Sequence, residues 1–188
     1  MNEEIGGTMK KVAILALAAT LFAQPLLALD LPSPPSGFTW QQIPELKAAI
    51  LRPDGWFFRQ ESDKGTLAYF ITKEDIRVNG QFETGLTVNV FHLKQDSAVD
   101  HAKALIDNMA AGKSGKTWSR PVGAFQEFDC QFKDTDASGT IVMSALTVAN
   151  PKTNTLYLFV FESPESDWDT AWKIGKPIMD TLAIDDDY

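Results

Sequence analysis

Apolar positions fall in two dense runs in the last third of the chain, 140–149 and 155–161, both rich in β-branched and aromatic residues. Asn150-Pro151-Lys152-Thr153-Asn154 between them has turn chemistry, so the pair predicts a β-hairpin. Then the period changes. Trp168, Ala171, Trp172, Gly175, Ile178, Met179 and Leu182 recur at three- and four-residue steps, the stripe of a helix with one buried face. Ser166 with Asp169 three residues on predicts a conservative capping box, and Asp167 adds negative charge to the first turn. Pro177 interrupts this helix, at a cost of roughly 3 kcal/mol in a straight one, so a kink or a break with a second short turn is expected. Trp168 and Trp172 read as the largest core anchors of the stripe; an aromatic binding shelf is the alternative.

Upstream the same reading gives more strands than helices. Gly37-Phe38-Thr39-Trp40 opens the folded part as a strand. Residues 43–51 are either a short helix from Pro44 or a strand leading to the turn Arg52-Pro53-Asp54-Gly55. Stretches 56–60 and 66–72 predict a second hairpin across 62–65, followed by a loop with Asn79-Gly80. Residues 84–93 form a strand with Leu86, Val88 and Val90 on one face and Asn89 and Phe91 on the other. Asp96-Ser97 starts a helix with Ala98, Ala102, Leu105 and Met109 in phase, ended by Gly112, and 115–132 returns to strand, broken at Pro121. Runs of strands with two amphipathic helices predict an α+β fold: a central antiparallel sheet flanked by helices, an α/β/α sandwich. No internal repeat and no second domain is visible.

The first 36 residues stand outside that pattern. Met9-Lys10-Lys11 and the apolar stretch 12–22 have the form of a signal peptide, broken at Gln24-Pro25, with Ala28 a small residue suited to cleavage. Asn2-Glu3-Glu4 puts acid where such a peptide wants base, so Met9 is the expected start. The organisation expected is therefore a signal peptide over 1–28, a Pro/Ser linker over 29–36 and one domain over 37–185. The apolar stretch is short for a membrane span, and no membrane insertion is expected after cleavage.

The net charge of −8 survives removal of 1–28, since Glu3, Glu4, Lys10 and Lys11 cancel. It argues against nucleic acid and anionic membrane as partners. Cys130 is the only cysteine, which excludes an intrachain disulfide. It shares the apolar face of its strand with Phe128 and Phe132, so a buried inert thiol is expected rather than a nucleophile.

Catalytic ingredients are scarce. The chain has two histidines and neither a Gly-x-Ser-x-Gly nor a His-Glu-x-x-His pattern. His92 and His101, with Asp96 and Asp100 close in sequence, are candidates for a mixed His/Asp metal site at a strand-to-helix corner. The plainer reading makes His92 a rim residue and His101 a solvated one. Asp185-Asp186-Asp187 offers calcium-type ligands, but a frayed acidic tail needs no ion. No catalytic residue and no cofactor is assigned.

Gly37-Phe38-Thr39-Trp40 followed by Pro44, Gly55-Trp56 and Leu86-Thr87-Val88-Asn89-Val90 resembles the PsbP/Mog1 superfamily, including its DcrB-like bacterial relatives. The best part of the match runs from Leu156-Tyr157-Leu158-Phe159-Val160 through Ser163-Pro164-Glu165 and Trp168 to a last helix closing on Leu182-Ala183-Ile184. The resemblance spans about 37–185 and is a pattern of strands and aromatics, not a catalytic signature. It implies a central antiparallel sheet with helices on both sides, in proteins that mostly bind other proteins or support assemblies. Photosynthetic members steady a metal-bearing complex in the lumen, and other relatives bind a small GTPase in the nucleus. No residue here matches either binding site, so neither partner carries over.

Three readings follow. The first is an exported, non-catalytic binding or accessory protein of the bacterial envelope, periplasmic or secreted, acting through a protein partner. The second is an inhibitor or immunity protein, or a chaperone for an exported protein. The third is a small metal-binding protein using His92 and His101.

Overall fold

Most of the chain's β-branched and aromatic runs gather in one antiparallel sheet of seven strands. The computed structural model describes residues 31–63, 66–113, 115–137 and 139–188. The expected signal peptide, 1–28, lies outside them.

In chain order the elements are β1 (Phe38–Ile43), β2 (Ala48–Pro53), β3 (Phe57–Asp63), β4 (Thr66–Thr72), α1 (Ile76–Asn79) and β5 (Gly85–His92). Then come α2 (Ala98–Ala110), β6 (Lys116–Val122), β7 (Phe125–Asp136), β8 (Gly139–Asn150), β9 (Thr155–Pro164), α3 (Trp168–Asp180) and β10 (Leu182–Ile184). The large sheet has the order β3-β4-β5-β9-β8-β7-β6, and a small sheet has the order β1-β2-β10. Every pairing is antiparallel. The predicted α+β class is what the chain adopts.

The central hairpin is β8–β9, as the pattern predicts, and both strands are mostly buried. Strand alternation sorts its side chains between two cores. Tyr157, Phe159 and Phe161 face α3 and the small sheet, together with Leu86 and Val88 of β5 and Ile50 of β2. Leu156, Ala145 and Ala149 face α2, which buries Ala98, Ala102 and Ile106 there. The helices thus lie on opposite faces, with the small sheet sharing one face with α3.

Four expectations need correction. Of the kink or break expected at Pro177, the break does not occur: α3 runs through it to Asp180, and Ala171, Ile178 and Met179 on either side pack in the same core. That face anchors the turn on either side of the lost donor. The capping box is not formed either. The helix begins at Trp168 with no side-chain cap, and the Ser166 hydroxyl turns to the Asp167 carboxylate at 3.2 Å. Turn bonds from Asp167 to Pro164 and from Trp168 to Glu165 already hold the entry. Leu182 leaves the helical stripe for β10, where it pairs with Ile50. Finally, 115–132 is not one strand broken at Pro121. It is the β6–β7 hairpin, which turns at Gly123 with φ +58°, while Pro121 sits in an edge strand where a missing donor is tolerated.

The two alternatives for 43–51 divide the stretch: Pro44–Leu46 is a single 3-10 turn, and Ala48 begins β2. Of the expected linker, Leu31–Ser36 has no regular structure, but the Trp40 indole donates to the Pro32 carbonyl at 2.7 Å.

Candidate functional site

The residues with the most obvious chemistry are not gathered. His92 ends β5 with Nδ1 3.1 Å from the Thr155 hydroxyl and Nε2 3.2 Å from the Tyr188 hydroxyl. Both ring nitrogens have partners. His101 is exposed on α2, and Asp96 and Asp100 are exposed around the helix start. The carbonyl of Asp96 takes an amide hydrogen of Asn154 at 2.8 Å, and the Asp100 N–H donates to the Ser97 hydroxyl. Among the described residues, Asp185, Asp186 and Asp187 are the only group of three or more metal-ligand side chains with atoms within 4.8 Å of one another. Cys130 is buried beneath α2, and that burial pushes its thiol up to about 11, with the Asp129 charge adding to the effect.

The acidic tail is not frayed, contrary to the sequence reading. Asp185 N–H donates to the Lys47 carbonyl at 3.1 Å, and Asn150 donates to the carbonyls of Asp186 and Tyr188 at 2.8 and 3.3 Å. Lys152 pairs with Asp187, and the Tyr188 ring lies 5.3 Å from that of His92. Side chains distant in sequence, Asn150, Lys152 and His92 among them, therefore pin the end of the chain, a constraint with no local signal.

Trp168 and Trp172 are half-buried. Their rings stack at 5.1 Å and 12°, and they lie 6.0 and 5.8 Å from Phe161. They flank the core rather than fill it.

The tail helps to form a concave, mainly apolar site at an open end of the fold. A cavity of about 510 Å³ lies between the β6–β7 turn and β10. Its walls are Val122, Phe125, Val148, Leu182 and Ile184, and its polar lining is Glu127, Asp185 and Asp186. That volume is within the usual range for ligand sites. The gap has a topological cause: the small sheet stops at β10, while the large sheet continues through β7 to β6.

The cavity is acidic. Glu127 is 9% exposed and accepts from Arg120 Nε at 2.7 Å. The Glu127 carboxylate in turn raises the affinity of Arg120 for its proton. Next along this face, burial raises the Asp129 carboxyl above the usual range; the Arg120 charge opposes that and Glu127 adds to it. No Lys, Arg or His lines the cavity. Sequence reading missed this site because Val122, Glu127 and Ile184 lie on three separate elements.

A second cavity of about 960 Å³ runs between Gln81–Phe82 and the segment Glu165–Asp167, with a more polar lining.

With this geometry in hand, the similarity to known structures is informative. No protein-family profile matches the chain, and no curated protein does. The solution structure of cyanobacterial PsbP from Synechocystis sp. PCC 6803 matches with a TM-score of 0.51 at 11% identity, over 85% of this chain and 99% of that one. The fold is PsbP-like. This is what the resemblance to the PsbP/Mog1 superfamily implied. Two further structures are similar at a TM-score of 0.48. One is LpqN, involved in cell envelope biogenesis of Mycobacterium tuberculosis, at 11% identity over 73% of this chain and 83% of that one. The other is the Ran-binding protein Mog1p of Saccharomyces cerevisiae, at 9% identity over 78% and 95%. At such identities a PsbP-like fold assigns an architecture and no activity. Among the described residues, no helix is long and apolar enough to cross a membrane.

Proposed function

We propose that the protein is an exported, non-catalytic binding protein of the bacterial envelope that acts through contacts with another protein. The observation that carries this reading is the cavity at the open end of a PsbP-like fold, with apolar walls and an acidic mouth. Its chemistry is that of recognition: apolar area to bury and carboxylates to orient a cation. The residues with reactive side chains support the same reading. His92 holds Thr155 and Tyr188, and Cys130 is a buried thiol with a raised pKa. The leader-like pattern at 9–28 supports export.

Capture with full-length tagged protein from the envelope fraction of its own cell, cross-linked before lysis, tests the proposal. One or a few proteins recovered in stoichiometric amount are expected. Recovery of the bait alone, or its residence in the cytoplasm with residues 9–28 intact, would refute it. The acidic cavity mouth also favours the inhibitor or immunity reading, for which a single basic partner of nanomolar affinity should be recovered.

A further inference from the structure

Among the described residues the small sheet ends at β10, beside the cavity that Leu182 and Ile184 line. In antiparallel pairing, residues alternate between pairs that exchange hydrogen bonds and pairs that do not. Asp185 N–H bonds to Lys47 O, which makes Ala183 and Ala49 the next bonded pair of β10 and β2. Leu182 opposite Ile50 and Ile184 opposite Ala48 are then non-bonded pairs, so their N–H and C=O groups point away from β2. The other side of β2 agrees: Asp54 N–H bonds to Gly37 O at 2.9 Å, which assigns Ala48 and Ile50 to bonds with β1. Among the described residues no further strand lies beyond β10. The free edge is half-buried and borders the cavity that Leu182 and Ile184 line. A half-buried row of unpaired donors and acceptors is a template for strand addition.

Charge selects what is added. Glu127, Asp185 and Asp186 line the cavity; Arg120 pairs with Glu127, and Lys47 is 3.7 Å from Asp185. Asp186 keeps no ion pair among the described residues, nor does Asp129 beyond it. A surplus of negative charge therefore faces the gap. A second copy of this chain would bring another acidic tail to the same place, which like-charge repulsion disfavours.

We infer that an extended segment of a partner protein adds as a fourth strand to the free edge of β10, with apolar side chains in the cavity and a lysine or arginine against Asp185 and Asp186. The inference rests on the binding-protein reading and names where and what it binds.

The test uses full-length, 15N-labelled protein and a capped hexapeptide, Lys-Val-Thr-Val-Thr-Val, with Glu-Val-Thr-Val-Thr-Val as its charge-reversed control. The lysine peptide should shift the amide resonances of Leu182 and Ile184, slow their hydrogen exchange and bind at least about ten-fold tighter than the control. N-methylation of the alternate peptide amides that face β10 should abolish binding, while methylation of the other set should leave it. The double variant Asp185→Asn, Asp186→Asn should lose the preference for lysine, and Val122→Lys, on an exposed wall, should block both peptides. Equal tolerance of the two methylation sets, shifts confined to other strands, or self-association through β10 would each overturn the inference. If the partner captured from envelope is retained equally by Val122→Lys protein, the inference fails and the binding function stands.

Discussion

Over β9, α3 approaches the large sheet so closely that a Cβ on Gly175 would lie 2.6 Å from the Phe161 ring. Over β7 and β6, on the same face, no described strand lies beyond β10 and a cavity of about 510 Å³ is left. The two ends share a sheet, an alternation of side chains and a face. They differ in what covers them. At the packed end, a 13-residue helix brings Ala171, Ile178 and Met179 onto a wall of Tyr157, Phe159 and Phe161. The open end has a three-residue strand whose side chains all remain half-buried. Core stability and binding capacity are thus separated along one surface, so changes at one end should leave the other intact.

Replacing Phe161 with Ala should break the packed end most severely, at about 3–5 kcal/mol by urea or thermal unfolding, the range for a buried aromatic. A much smaller loss would mean that α3 is not seated on that ring. Gly175→Ala sharpens the point. Alanine is the better helix former by about 1 kcal/mol, yet the clash with Phe161 should reverse the sign and leave a net destabilisation of roughly 1–2 kcal/mol. A stabilised variant would show that the helix can move away from the sheet. Trp172→Ala should cost about 1–2 kcal/mol, below the range for a fully buried Trp, because the ring is only half covered. At the open end, Val122→Ala should change stability by no more than about 0.5 kcal/mol, since the side chain is 41% exposed and borders empty space.

The smallest effect is electrostatic. Burial raises the Asp129 carboxyl in the folded state, so its contribution favours folding below the unfolded-state value and is lost as pH rises through the folded one. Asp129→Asn should therefore unfold at a higher temperature than the parent at neutral pH and match it below the ordinary carboxylate range. A variant less stable than the parent at neutral pH would mean that the Arg120 attraction outweighs burial.

Much of the packed end was legible in the chain. Alternation over Leu156–Phe161 and the helical stripe from Trp168 to Met179 are local periodicities, and each specifies which face is buried before any partner is known. So did the strand from Leu86 to Val90. Trp168 and Trp172, read as the largest core anchors of the stripe, do pack against the core but stay half-buried. Period tells which face a residue shares, whereas depth depends on how far the sheet extends beneath it.

What the sequence determined by itself was the α+β class, the β8–β9 hairpin, both long helices and the burial of Cys130, all set by side-chain spacing along one segment. The tertiary structure alone decided that Leu182 would leave the helix for β2, that Asn150, Lys152 and His92 would hold the tail, and that Val122, Glu127 and Ile184 would meet around a cavity. Those outcomes depend on contacts between residues 35 to 132 positions apart, brought together only when two sheets of unequal width are packed face to face. Local propensity carries no record of that mismatch in width, and the mismatch is what leaves an edge open for a partner.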